Sequence, residues 1–127
     1  MASDLFDISR SPDPAAWLAL DEGERIEQVI EAHRRTRSAM GGSESAHAAI
    51  HVAVETRLAS DDAAVIAAYE RFRAAGVDRH NTVHALASVV TDHMMAVLES
   101  REGFDQATAH RGFEALDPAA WKPPKKG

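Results

Sequence analysis

Hydrophobic positions in the first third of the chain recur at helical spacing. Ile26, Val29, Ile30 and His33 fall on one stripe, with Glu27, Glu31 and Arg34 mostly off it. A three- and four-residue rhythm of this kind predicts an amphipathic helix buried along one side. The rhythm returns in Ile50, Val54 and Leu58, and again in Ala87, Thr91, Met95 and Leu98. No apolar–polar alternation bounded by turn residues marks a strand, and Ala, Glu and Arg favour helix throughout.

Polar residues and glycines divide this pattern into elements. Asp13 can cap a short helix over 15 to 20, with Pro14 at its first position. Asp21, with Glu24 three residues on, forms a cap before the stretch 24 to 37. Gly41 and Gly42 break that helix, and Ser43 or Ser45 opens the next, which runs to about Ala59. Residues 60 to 62 end it and cap a third helix over 63 to 75, with Gly76 suited to its C-terminal end. Asp78 caps a long fourth helix, about 79 to 100. Residues 101 to 103 read as a turn, and 104 to 116 as a weaker last helix. The expected fold is all-α: a single-domain bundle of four main helices with short accessory ones over 13 to 116. Residues 1 to 12 read as a loosely ordered N-terminus and 117 to 127 as a tail. The string Asp-Pro-Ala-Ala-Trp stands at both 13 to 17 and 117 to 121, and both copies are good helix starts.

Composition narrows what such a bundle does. A chain of 127 residues fits one domain. Its hydrophobic content is 45%, but Ala supplies much of it beside only four Phe, two Trp and one Tyr. Small side chains pack closely yet bury little area each, so a homodimer is the expected way to bury more. The formal net charge is -6, and all three lysines (Lys122, Lys125 and Lys126) lie in the last six residues. No basic stripe is present to follow a phosphate backbone, so nucleic-acid binding is not expected. The absence of Cys excludes disulfides, thiolate ligands and a cysteine nucleophile. The first residues lack a basic segment followed by an apolar run, and no stretch approaches 18 apolar residues. The expected setting is therefore cytoplasmic, with no signal peptide and no membrane span.

The histidines carry the chemistry. Seven are present, at 33, 47, 51, 80, 84, 93 and 110. Two pairs are spaced by four: His47 with His51, and His80 with His84. Residues four apart stack on one helix face. Successive residues turn by about 100°, which sets His51 about 40° and Glu55 about 80° from His47. Both histidines of the first pair thus adjoin the stripe of Ile50, Val54 and Leu58, with Glu55 on its rim. His80 and His84 share the face of Ala87, Thr91, Met95 and Leu98, and Asp92 lies two turns beyond His84, off to one side.

If these two helices are neighbours, four imidazoles and one or two carboxylates converge. That set suits a divalent Zn, Fe, Mn or Ni ion. The expected ligands are His47, His51, His80 and His84, with Glu55 the better carboxylate and Asp92 the next. His33, on the stripe of an earlier helix, reads as a core histidine with a possible ligand or supporting role. His93 and His110 read as surface residues. The pair at 80 and 84 resembles half of a zinc-peptidase motif, H-E-x-x-H, but Asn81 stands where the general base belongs. Peptidase activity is therefore not expected, and no glycine-rich phosphate loop or G-x-S-x-G nucleophile turn is present.

Three stretches, residues 17 to 35, 47 to 59 and 76 to 90, resemble a family of small, uncharacterised bacterial helical proteins. Its pattern is an H-x-x-x-H-x-x-x-E helix and a later H-E-x-x-H helix with an acidic residue two turns on. His47, His51 and Glu55 match the first, and His80, His84 and Asp92 the second, with Asn81 a departure. The resemblance implies a helical fold with a shared histidine site and no particular reaction. The reading is of a metal-binding helical protein, with a metal-dependent hydrolase as the natural enzyme class. The alternative is a non-enzymatic, dimeric interaction module whose histidines serve packing or pH response.

Overall fold

A computed structural model of the protein describes residues 6–36, 44–100 and 105–121. Six helices follow one another: α1 (Pro14–Ala19), α2 (Glu22–Thr36), α3 (Glu44–Ala59), α4 (Ala63–Ala74), α5 (Arg79–Ser100) and α6 (Gln106–Ala115). No strand occurs among the described residues, and the protein is an all-α bundle. The breaks expected at 38 to 43 and 101 to 103, and the last six residues, lie outside the described residues.

The starts of α1, α2, α4 and α5 have the local chemistry their sequence promises, whereas α3 begins at Glu44, with Ser45 already inside it and Ser43 outside the described residues. Asp13 accepts from the Ala16 amide at 3.0 Å. Asp21 and Glu24 form a reciprocal box: the Glu24 amide donates to Asp21 at 2.8 Å, and the Asp21 amide to Glu24 at 3.0 Å. Asp62 caps α4 through the Val65 amide, and Asp78 caps α5 through the Asn81 amide at 2.7 Å. Gly76 ends the α4 turn at φ 89°, where a side chain would be strained. The second Asp-Pro-Ala-Ala-Trp copy makes only a turn, in which Asp117 accepts from the Ala119 amide at 3.0 Å. Pro123 and Pro124 follow within a few residues, and prolines oppose any helix continuing through them.

The axis of the bundle is α3, which packs against α1, α2, α4 and α5. The two helices that carry the histidine pairs, α3 and α5, are therefore neighbours. One apolar cluster joins Trp17 of α1, Val29 and Ala32 of α2, and Ala48 and Val52 of α3. Phe6 and Ile8 complete that cluster, so part of the N-terminal segment expected to be loose is packed into the core. Trp17 meets Phe6 at 5.3 Å between ring centres, and its indole N–H donates to Thr56 Oγ1 at 3.1 Å. The second cluster gathers Val54, Val65, Ala68, Val83, Leu86, Ala109 and Phe113 from α3 to α6. A layer of polar side chains belongs to neither cluster.

Candidate metal centre

Three helices supply that polar layer. His33 enters from α2, His47 and His51 from α3, and His80 and His84 from α5. Their rings pack against one another, most of them edge to face, with centres 4.4 to 5.6 Å apart in every pair that touches. Among the described residues, His33, His51, His80 and His84 form a group whose ligand atoms all lie within 4.8 Å of one another. This group could hold a metal ion. A tetrahedral ion with bonds of about 2.0–2.1 Å sets its nitrogens about 3.3 Å apart, so the group closes onto one centre by drawing in by up to about 1.5 Å.

The nitrogens are poised for it. His33 Nδ1 lies 2.8 Å from the Val29 carbonyl, which can only accept, so Nδ1 carries the proton. In the neutral ring the lone pair then sits on Nε2, the atom that can ligate. This is how a ligating histidine is commonly oriented by a partner behind it. His80 Nε2 and His84 Nε2 are buried with no hydrogen bond. Buried nitrogens left without a partner cost about 1–3 kcal/mol each, and a cation bound to their lone pairs removes that cost. His51 Nε2 and His47 Nε2 are 3.1 Å apart, so one ring donates to the other.

Burial keeps the rings neutral. It holds His80 and His84 down to about 4, with neighbouring histidines adding to the effect. His51 is driven well below its ordinary value by burial, and then by the four rings around it. His33 and His47 are lowered by the same cause. Neutral imidazole is the form that binds metal.

The two carboxylates expected as ligands stand outside this group. Glu55 is buried, but both its oxygens are held by the Arg79 guanidinium, each at 2.7 Å. The same guanidinium reaches the Ile8 carbonyl at 3.4 Å and Ser11 Oγ at 3.3 Å, and lies over the Tyr69 ring. Asp92 is exposed and lines the mouth of a pocket beside the histidines. That pocket measures about 290 Å³, with Ile50 and Ala87 on its walls and His47, His51 and His84 at its inner end. Asn81 faces away from the centre: its side chain donates to Asp78 at 3.1 Å at the start of α5.

The remaining histidines divide. His93 is buried and accepts from the Asp105 amide at 3.3 Å, a brace between α5 and the start of α6 rather than the surface residue expected. His110 is partly exposed and meets Asp62 at 3.4 Å. A larger open groove of about 730 Å³ between α3 and α6 holds Arg25 and Arg57, but both are engaged. Arg25 donates to the Trp17 and Leu18 carbonyls, and Arg57 pairs with Asp62.

The residue that sequence reasoning undervalued is His33. Its position on the stripe of Ile26, Val29 and Ile30 showed that it faces inward, but not that this face meets the two histidine pairs. Compared with protein-family models, curated proteins and solved structures, the chain matches none.

Proposed function

We propose that the protein binds one divalent transition-metal ion between α2, α3 and α5, through His33, His51, His80 and His84. The observation that carries this reading is the convergence of four buried or half-buried imidazoles, two of them with a buried Nε2 atom that has no hydrogen bond. His47 stands beside them as a fifth imidazole at the pocket. An all-imidazole set selects Zn, Ni or Fe over Mn, which prefers oxygen ligands. On this reading Glu55 is a structural partner of Arg79, and Asp92 lies outside the shell.

The pocket favours a working centre over a purely structural one. A structural ion is enclosed by its ligands, whereas a catalytic ion keeps a position open to solvent or substrate. The corresponding activity class is metal-assisted hydrolysis, in which the ion acts as a Lewis acid. Asn81, tied to Asp78, supplies no base, so the peptidase mechanism is not part of the proposal. The protein would then be a relative of the small bacterial helical proteins it resembles. The reading extends to a cytoplasmic homodimer, supported by the small-residue core and the exposed Met94, Met95 and Leu98 of α5. No helix among the described residues is long and apolar enough to cross a membrane.

Thermal unfolding tests the metal reading. An ion that binds only the folded state stabilises it by about 4 kcal/mol at a thousand times its dissociation constant. For a chain of this size that is about 10 °C or more in Tm. Excess Zn²⁺ is expected to raise Tm by that amount, and a chelator to reverse it. An unchanged Tm at saturating Zn²⁺, Ni²⁺ and Fe²⁺ would remove the proposal.

A further inference from the structure

We infer that the pocket beside the histidines is a binding site for a small carboxylate with an apolar body, its anionic end at the metal centre. The inference rests on the metal-binding reading above and names the ligand class of that site.

Charge at the centre calls for an anion. The group that could hold the ion consists of four imidazoles, all neutral ligands, and contains no carboxylate. Glu55, a buried anion on α3, is already neutralised by Arg79 through two bonds of 2.7 Å. A divalent ion seated here therefore keeps its full charge in a largely buried layer. Uncompensated charge in such surroundings is costly, and an anion brought from outside offsets it.

The pocket has a shape and lining that fit the same ligand. It opens between α3 and α5, directly against His47, His51 and His84. Ile50 and Ala87 give it apolar walls, and Thr91 and Asp92 form its rim. The Ser88 hydroxyl, also in the lining, is turned away to the Ala85 carbonyl at 2.6 Å. At about 290 Å³ it is near the lower limit of small-molecule sites, which fits a compact ligand with a short apolar chain.

His47 supplies a further contact. Its Nε2 lies 3.1 Å from His51 Nε2, so one of the two rings donates to the other. A metal ion bound through His51 Nε2 ends that bond, whichever ring donates in it. His47 Nε2 is then left with the pocket beside it and, in the tautomer that carries a proton there, donates to a carboxylate oxygen. Cation and donor together recognise an anion at the inner end, while the walls take its apolar part.

Cobalt-loaded protein tests this, because the visible spectrum of Co²⁺ responds to a new ligand. Sodium butyrate is expected to change the spectrum saturably, and butylammonium chloride to leave it unmoved. Butyrate should bind about tenfold more tightly than acetate, for the two further methylene groups the walls cover. Thr91→Trp, a rim position, should weaken butyrate at least tenfold with Co²⁺ still bound. Asp92→Asn should strengthen butyrate about threefold by removing a like charge from the rim. A Co²⁺ spectrum indifferent to butyrate, equal binding of acetate and butyrate, or loss of Co²⁺ on Asp92→Asn would each overturn the inference. Failure to take up Co²⁺ at all is a separate result and would overturn the metal reading with it.

Discussion

Replacing Arg79 with Met is expected to destabilise the metal-free protein by about 3–5 kcal/mol, as removal of one partner of a buried ion pair commonly does. Arg79 and Glu55 are 3% and 1% exposed, and they meet through two bonds of 2.7 Å. Met preserves much of the length and apolar stem of Arg79 but leaves the Glu55 carboxylate buried without its cation. The change also removes the donors to the Ile8 carbonyl and Ser11, which hold the N-terminal segment against α5. Arg79→Lys should recover only part of the loss, because a point charge cannot fill two parallel bonds. The double change Glu55→Leu with Arg79→Met should recover more, because no buried charge is then left unpaired. Urea unfolding at pH 7 gives the values. A loss below about 1 kcal/mol for Arg79→Met would show that the pair is not buried as described.

This ion pair also sets the geometry of the histidine centre. Glu55 follows His51 by one turn of α3, and Arg79 immediately precedes His80 at the start of α5. Joining Glu55 to Arg79 fixes the height of one helix against the other at the level where the imidazoles meet.

Acid should unfold the metal-free protein earlier than its carboxylates alone would require. His80 and His84 titrate near 4 in the folded protein, against about 6.5 in an unfolded chain. The unfolded state therefore binds protons first as pH falls. Stability is fully present above about pH 6.5 and is lost progressively as pH drops toward 4. A tenfold difference in proton affinity between the two states is worth about 1.4 kcal/mol at most. With a discount for partial exposure, the loss between pH 7 and pH 5 should be about 3 kcal/mol for the centre as a whole. The carboxylates held by hydrogen bonds act outside this window. Asp7, Glu44 and Asp105 lie below their ordinary values, chiefly through bonds from Ser9, Arg34 and Thr108 respectively, so they titrate at lower pH. Urea midpoints measured in chelator between pH 7 and pH 5 should fall steadily, and His80→Gln with His84→Gln should flatten part of that slope. A flat profile in the unsubstituted chain would contradict the buried, neutral state of these rings.

The fold was legible in the sequence because its helix ends are written in local chemistry. Asp13, Asp21, Asp62 and Asp78 each bond amides three residues away, and such contacts need no knowledge of the rest of the chain. The period of four in the two histidine pairs likewise showed that their rings share a face. The centre was less legible where it depends on distant partners. His33 belongs to it because α2 and α5 bring their faces to the same height on α3, which no local pattern encodes. Glu55 looked like a ligand because it follows His51 by one turn. The further rotation carries it to Arg79, 24 residues along the chain, and only the packing of α3 on α5 reveals that. Phe6 and Ile8 lack a periodic context of their own, so their places beside Trp17 were hidden for the same reason.

The most direct measurement is the metal content of the purified protein, by inductively coupled plasma mass spectrometry, without chelator at any stage. The unsubstituted chain would be compared with His51→Ala, His84→Ala. The account predicts about one equivalent of Zn, Ni or Fe per chain, retained through dialysis and lost in the double variant. No metal in either protein, with none kept after Zn²⁺, Ni²⁺ or Fe²⁺ is added and dialysed, would contradict it, and the five imidazoles would stand as a neutral packing layer.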